Sequence, residues 1–257
     1  MSLPLNGRVA IVTGATRGIG RAIALHLASL GASVGLVFSS SSAEADRLAA
    51  EINSSSSSSA TPRAIPLRAD VSDPAAVRSV FDLAEQAFNS PPHIVVHSAG
   101  ILDPNYHPIS SIPIADFDSI MSVNARGAFI VLQEAANRVV RGGGGRIVAL
   151  STSLVAINRP GYGAYTASKA AVEAMVKILA KELKGAKVTA NCVAPGPVAT
   201  EMFFAGKTEE EVKRSAEMNP MGRLGATEDI GPVVGFLCSD AGEWVNGQVI
   251  RVNGGMV

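Results

Sequence analysis

The sequence predicts an α/β chain: a doubly wound, mostly parallel sheet with helices on both faces. Short β-branched apolar runs alternate with longer segments of helical periodicity along the chain. The strand candidates are nearly continuously apolar, as strands buried on both faces must be. No linker divides the alternation, so a single domain over residues 1–257 is expected.

Val9-Ala10-Ile11-Val12-Thr13 reads as the first buried strand. Ile19, Ala22, Ile23, Leu27 and Leu30 then recur at helical spacing, and Gly31 supplies the stop. Residues 33–39 read as a strand, 43–52 as a helix and 64–67 as a third strand. The next helix starts near Asp73. Pro74 stands in its first turn, and Val77, Val80, Phe81, Ala84 and Phe88 share one face. A strand over 94–97, a long helix within 115–140, a strand over 146–150, a helix over 164–183 and a strand over 188–193 follow. A helix over 227–237 and a strand over 249–252 complete the pattern. Right-handed crossovers would join these strands into one sheet. Asn53 and the serines at 54–59 have the composition of a flexible surface loop. The glycines at 142–145 read as a connector, because the Lys-Ser/Thr of a P-loop does not follow them.

Hydrophobic residues make up 47% of the chain and the formal net charge is zero. Such a chain can bury a sizeable core. It lacks the basic excess of a nucleic-acid binder or a polybasic membrane anchor. No apolar run reaches the roughly 18 residues of a membrane span. The stretch before Val9 lacks the pattern of a secretory signal, so a cytoplasmic protein is expected. Cys192 and Cys238 sit among apolar neighbours and read as buried, reduced thiols. His26, His93, His97 and His107 show no metal-ligand spacing, and no metal is expected.

Thr13-Gly14-Ala15-Thr16-Arg17-Gly18-Ile19-Gly20 joins the first strand to the first helix. Glycines let this turn be tight and let the backbone approach a pyrophosphate, which the helix N-terminus then favours. The reading is therefore a dinucleotide phosphate loop. An NAD site commonly has a carboxylate at the end of the second strand for the ribose 2′-OH. Here that strand runs into Ser39, Ser40, Ser41 and Ser42. Hydroxyls there and the charge of Arg17 suit a 2′-phosphate, so NADP(H) is the expected cofactor. Glu44 lies close enough in sequence to keep NAD as an alternative.

Tyr165 and Lys169 stand at i and i+4 in Gly163-Ala164-Tyr165-Thr166-Ala167-Ser168-Lys169, which puts both on one helix face. A free phenol, with a pKa of about 10, is a poor acid–base group near neutrality. A neighbouring ammonium would favour phenolate and lower that value. An ordinary amphipathic surface helix could carry the same pair.

Taken in order, these segments resemble the short-chain dehydrogenase/reductase family over nearly the whole chain. The matches are Thr13–Gly20, Asp70-Val71, Ser98-Ala99-Gly100, Asn124, Ser151-Thr152-Ser153, Tyr165-x-x-x-Lys169, Asn191, Pro195-Gly196 with Thr200, Gly247-Gln248-Val249-Ile250 and Asn253-Gly254-Gly255. The chain looks most like NADPH-dependent aldehyde/ketone reductases within it. The resemblance implies a Rossmann-type fold and assigns roles. Tyr165 would protonate the carbonyl oxygen. Lys169 would bind the nicotinamide ribose. A hydroxyl at Thr152 or Ser153 would hold the substrate oxygen, and Asn124 would support a water-linked proton relay. Gly14, Thr16, Arg17, Gly18, Ile19, Gly20, Ser39 and Ser40 would bind the phosphates and adenine ribose. Asp70 and Val71 would border the adenine. Ser98, Ala99 and Gly100 would face the cofactor, and Pro195, Gly196, Val198 and Thr200 would frame the nicotinamide.

Two departures stand out. The family commonly has Asn-Asn-Ala-Gly where this chain has His97-Ser98-Ala99-Gly100. His97 reads as a satisfied core histidine in preference to a cofactor-side group. The family serine thirteen residues before the tyrosine is Thr152 here, flanked by Ser151 and Ser153. Residues 201–221 fall outside the alternation and carry Met202, Phe203, Phe204, Met218 and Met221. They read as a substrate lid with an apolar inner face, joined by Leu154, Val155, Asn158 and Tyr162. A small apolar aldehyde or ketone is the expected substrate. A homotetramer or homodimer is implied, with Trp244 and the C-terminal residues buried. The alternatives are a 3-ketoacyl-carrier reductase, docking its carrier through Arg138, Arg141, Lys184 and Lys187, and a non-redox cyclase, isomerase or NADP-binding scaffold.

Overall fold

The fold is described from a computed structural model over residues 3–54 and 62–257, so the serines after Ser54 lie outside the described residues. Seven parallel strands form one sheet in the order β3-β2-β1-β4-β5-β6-β7. The strands are β1 (Val9–Thr13), β2 (Ser33–Phe38), β3 (Ala64–Arg68), β4 (Ile94–His97), β5 (Gly145–Leu150), β6 (Val188–Pro195) and β7 (Val249–Val252). The five inner strands are buried almost throughout, while the edges β3 and β7 are partly exposed. That division explains why the inner strands read as unbroken apolar runs.

Helices α1 (Gly18–Ser29), α2 (Ser42–Ser54) and α10 (Gly231–Cys238) cover one face, where Ile23, Leu48 and Val234 pack on Val12, Leu36 and Val148. Helices α3 (Pro74–Phe88), α5 (Gly127–Arg138) and α7 (Gly163–Glu182) cover the other, where Phe81, Val131 and Val176 meet Ile11, Val95 and Ala190. Helix α3 is delimited as its sequence suggests. Asp73 accepts from the Ala75 N–H at 2.9 Å, and Asn89 ends the helix in the left-handed conformation at φ 49°.

The long helix expected within 115–140 is interrupted. Helix α4 (Ile114–Ile120) passes through a π-helical stretch, Met121–Arg126, into α5. Helical periodicity cannot register the extra residue of a π-turn, and such turns gather at functional sites. The helix expected over 227–237 is a 3₁₀ turn, Thr227–Asp229, followed by α10 with Pro232 in its first turn. Residues 201–221 contain two short helices, α8 (Glu201–Phe204) and α9 (Glu209–Glu217), the latter opened by a Thr208/Glu211 capping box. A further short helix, α6 (Leu154–Ile157), precedes α7.

After β3 the chain returns across the sheet to place β4 beside β1, so the strand order reverses between them. A crevice opens outside the carboxyl ends of strands at such a switch point.

Candidate active site

A cleft of about 320 Å³ opens there, between the β1–α1 turn and the N-terminal half of α7. That volume falls within the range of small-molecule sites. Gly14 and Gly18 hold positive φ (63° and 52°) in the turn. A Cβ on Gly20 would lie 2.1 Å from the Gly14 carbonyl oxygen, so α1 approaches the turn more closely than a side chain allows. Arg17, at the N-cap, makes no side-chain cap, and no acidic residue stands in the first turn of α1. The first N–H groups of α1 are thus left for an anion. Thr16, Ile19 and Gly20 complete this wall.

At the end of β2 the cleft is lined by Val37, Phe38, Ser39, Ser40 and Ser41. Glu44 is turned to Arg47 at 2.6 Å and is not among the lining residues. Arg17 pairs with Glu201, the first residue of α8, at 3.2 Å, and both side chains are largely exposed. Ala69, Asp70 and Val71 border the cleft after β3, and Ser98, Ala99, Gly100 and Ile101 do so after β4.

Tyr165 and Lys169 both line the cleft. The Lys169 ammonium donates to the Leu150 carbonyl at 2.8 Å and lies 6.0 Å from the Tyr165 ring centroid. Burial lowers the Lys169 pKa to about 8. The expected lowering of the phenol is not what this site produces by itself. Burial, followed by the neighbouring Tyr162, pushes Tyr165 up to about 12. Desolvation of the phenolate outweighs the nearby lysine.

Gly100 lets the surrounding groups converge. A Cβ there would sit 3.3 Å from Asn124 Oδ1 and 3.4 Å from Lys169 Nζ. Asn124, fully buried in the π-helical stretch, is held on both sides by Ile101. Its Oδ1 accepts from the Ile101 N–H and its Nδ2 donates to the Ile101 carbonyl, each at 2.8 Å. Nδ2 also approaches Ser168 Oγ at 3.1 Å. The carboxamide is thereby spent on positioning and does not line the cleft.

The three hydroxyls after β5 point to different partners. Ser151 Oγ donates to Glu173 Oε1 at 2.6 Å. Ser153 Oγ donates to the Ala194 carbonyl at 3.1 Å and accepts from Asn253 Nδ2 at 3.0 Å. Thr152 Oγ1 accepts from the Leu154 N–H at 3.3 Å, which leaves its own proton free to donate. Ser151 alone of the three lines the cleft. Gly196 and Val198 also lie outside it, bordering a second cavity of about 270 Å³ with Asn219, Arg223 and Asn253. The turn after β6 presents Pro195 and Thr200 to the cleft and carries the residues between them behind it.

His97 is fully buried, as expected of a core histidine, yet only half satisfied. Thr13 Oγ1 accepts from the N–H groups of Ser98 and Ala99, at 3.1 and 3.2 Å, so its own proton is directed to His97 Nδ1 at 3.1 Å. The ring proton therefore belongs on Nε2, which finds no partner among the described residues. Burial, then the charge of Lys169, lowers the His97 pKa to about 3, which keeps the ring neutral.

The apolar inner face expected of 201–221 is only partly realised. Met202 lines the cleft, but Met202, Phe204, Met218 and Met221 are all exposed. The segment is pinned by Lys207, whose ammonium lies 4.4 Å from the Tyr106 ring centroid and 4.6 Å from that of Phe203. It also donates to the Tyr106 hydroxyl and, at 2.7 Å, to the Phe203 carbonyl. Tyr106, at φ 53°, in turn donates to the Ala205 carbonyl at 2.6 Å. Of the wall residues expected beside it, Tyr162 is buried against Tyr106, with ring centroids 5.1 Å apart. Leu154 and Val155 are half-buried, and Asn158 is exposed.

Trp244 is 99% exposed on the single chain, open to a subunit contact. Arg138 is engaged by Asp82 and Glu85 at 2.7 and 2.8 Å, so it does not belong to a free basic patch. Cys192 and Cys238 are free and buried, and no cluster of metal-ligating side chains occurs among the described residues. No described helix is long and apolar enough to cross a membrane.

Val37, Phe38, Ala69, Ile101, Val123, Leu150 and Glu201 line the cleft without having been singled out for it. Strand alternation could have nominated Val37 and Leu150. Glu201, at the start of α8, reaches the cleft through the turn before it, whose path no periodicity encodes.

Residues 14–257 match the profile of a family described as enoyl-(acyl carrier protein) reductase. An Arabidopsis thaliana NADPH-dependent aldehyde reductase-like protein, chloroplastic, is 59% identical over 99% of this chain and 96% of its own length. The NADPH-dependent aldehyde reductase 2, chloroplastic, of the same plant is 60% identical over 98% of this chain and 95% of its own length. A short chain dehydrogenase from Burkholderia cenocepacia J2315 in complex with NADP superposes with a TM-score of 0.89 at 33% identity, covering 98% of this chain and 99% of the other. The cytoplasmic expectation is corrected by the two plant relatives, both of which are chloroplastic. It rested on the want of a secretory pattern, which has no bearing on plastid import. The glycine turn, the Tyr165/Lys169 pair and this likeness across almost the full length place the chain in the short-chain dehydrogenase/reductase family.

Proposed function

We infer that this chain is an NADP(H)-dependent oxidoreductase interconverting a carbonyl and an alcohol, with an aldehyde or ketone as substrate. The observation that carries the reading is the meeting of Tyr165 and Lys169 with the glycine turn in one cleft. The fit to a dinucleotide rests on the Gly20 cradle and the uncapped start of α1. Gly14, Thr16, Arg17, Gly18, Ile19 and Gly20 would hold its phosphates, and Ser39 and Ser40 its 2′-phosphate. Asp70, Val71, Ser98, Ala99, Gly100, Pro195 and Thr200 would flank the rest. Bound NADPH supplies the hydride. Tyr165, protonated over the physiological range, donates the proton to the carbonyl oxygen. Thr152 orients that oxygen, its hydroxyl being freer than those of Ser151 and Ser153. Lys169, steadied by the Leu150 carbonyl, binds ribose hydroxyls, and its charge together with the oxidised ring draws the phenol down when the cofactor is present. Asn124 serves the relay by fixing the backbone at Ile101.

Residues 201–221 act as the lid. The exposed Phe129, Ile178 and Trp244 support a homodimer or homotetramer, and the plant relatives support a plastid location.

Reduction of aldehydes and ketones with NADPH consumption is the direct test. NADPH is expected to exceed NADH in kcat/KM by about tenfold or more, the worth of one or two charge-assisted hydrogen bonds. Parity of the two cofactors would remove the argument from Arg17 and the serines. Turnover of 3-ketoacyl thioesters alone would favour a carrier-linked reductase, and no carbonyl turnover would end the redox reading.

The pH dependence follows from Lys169. Its ammonium is present below about pH 8 and lost above it. A fall in kcat/KM for NADPH is therefore expected as pH rises through that value, since this parameter reports the free enzyme. A profile flat to about pH 10 would remove the charge of Lys169 from cofactor binding.

A further inference from the structure

We propose that Arg68, the last residue of β3, is a specificity-determining residue that grips the 2′-phosphate of NADP(H). The proposal rests on the NADP(H) reading above and adds to Arg17 a second cation, from the β3 side of the cleft. Arg17 shares its charge with Glu201, 3.2 Å away, both side chains being largely exposed.

Arg68 is brought to the right end of the sheet by strand pairing. It stands in register with Phe38, the last residue of β2. Its Nε donates at 3.2 Å to the carbonyl of Ser39, 29 residues earlier, and Ser39 lines the cleft. The side chain is thus tethered at the rim, beside the serines and outside the cleft lining. One of its five N–H groups is used in that bond. The guanidinium is exposed and forms no ion pair with a carboxylate among the described residues.

Glu44 and Asp70, the carboxylates flanking this end of the cleft in sequence, both have partners. Glu44, the carboxylate nearest in sequence to the serines, is taken by Arg47 at 2.6 Å. Asp70 Oδ1 accepts from the N–H and hydroxyl of Ser72, at 2.9 and 2.8 Å. An arginine whose Nε is anchored and whose two terminal amino groups are open presents a planar fork to phosphate oxygens, with part of its rotamer entropy already removed. The hydroxyls of Ser39, Ser40 and Ser41 can meet the remaining oxygens. Because the backbone anchor is common to both cofactors, the discrimination lies in the phosphate alone.

Isothermal titration of the full chain with 2′,5′-ADP and with 5′-ADP tests this without turnover. In Arg68→Gln, affinity for 2′,5′-ADP is expected to fall about tenfold or more, while 5′-ADP binding stays unchanged. Arg68→Lys should recover part of the loss, since it keeps a point charge and gives up the fork. Unchanged 2′,5′-ADP affinity in Arg68→Gln would overturn the proposal. So would an equal loss for both nucleotides, which would make Arg68 a mere brace for the Ser39 backbone. If the parent chain itself does not distinguish 2′,5′-ADP from 5′-ADP, the NADP(H) reading fails, and the role of Arg68 with it.

Discussion

Tyr165→Phe is expected to lower kcat by about a thousandfold, the usual worth of a positioned general acid, while leaving NADPH affinity within about twofold. The phenol oxygen is the one atom removed. The ring keeps its place on α7, so the Lys169 contact and the packing of the helix should survive. In the cleft the phenol is held up near 12 by burial, which keeps the proton on oxygen until a carbonyl arrives. Stopped-flow reduction together with a fluorescence titration of NADPH separates the two effects. A variant turning over at the parental rate would dismiss Tyr165 as the acid. Equal loss of binding and turnover would make it a cofactor-binding residue instead.

Gly20→Ala is expected to cost about a hundredfold or more in NADPH affinity and to lower the melting temperature. The added methyl would lie 2.1 Å from the Gly14 carbonyl oxygen and 2.8 Å from its carbon. Both are backbone atoms, so no side-chain rotation relieves the clash. Gly14 cannot retreat, because its own Cβ position is already 2.9 Å from the Ala99 backbone. Helix α1 must back away from β1, which loosens Ile23 and Leu27 in the core beneath it. Overpacking of this kind costs about 1–3 kcal/mol, or a few degrees to about ten in a domain of this size. Circular dichroism melts and NADPH titration read the two consequences. Affinity within about threefold of the parent would show that the close approach is not what shapes the phosphate site.

Much of this architecture is legible in the sequence because burial on both faces leaves a strong signature. The apolar runs at Val9–Thr13 and Ile94–His97 identify β1 and β4 directly. The glycine turn, Tyr165 and Lys169 are legible because each is a local pattern tied to one geometric demand. What escapes is non-local or aperiodic. The π-turn at Asn124 adds a residue that helical spacing cannot show. Arg68 reaches Ser39 only once β2 and β3 pair. Lys207 finds one of its aromatic partners, Tyr106, on a loop about a hundred residues away, where no sequence rule joins them. Exposure of Trp244 was invisible because composition says that tryptophan is apolar, not where its neighbours are.

The position of β1 inside the sheet, between β2 and β4, carries a consequence for biosynthesis. Thr13 and His97 are cross-strand neighbours separated by 84 residues, so the first strand made has no partner on that side until more than a third of the chain has emerged. Closing such distant parallel pairs is slow, and in chains beyond about 150 residues it passes through partly collapsed species. The nascent β1–α1–β2 unit meanwhile exposes the unpaired edge of β1, which leaves it open to aggregation over that interval.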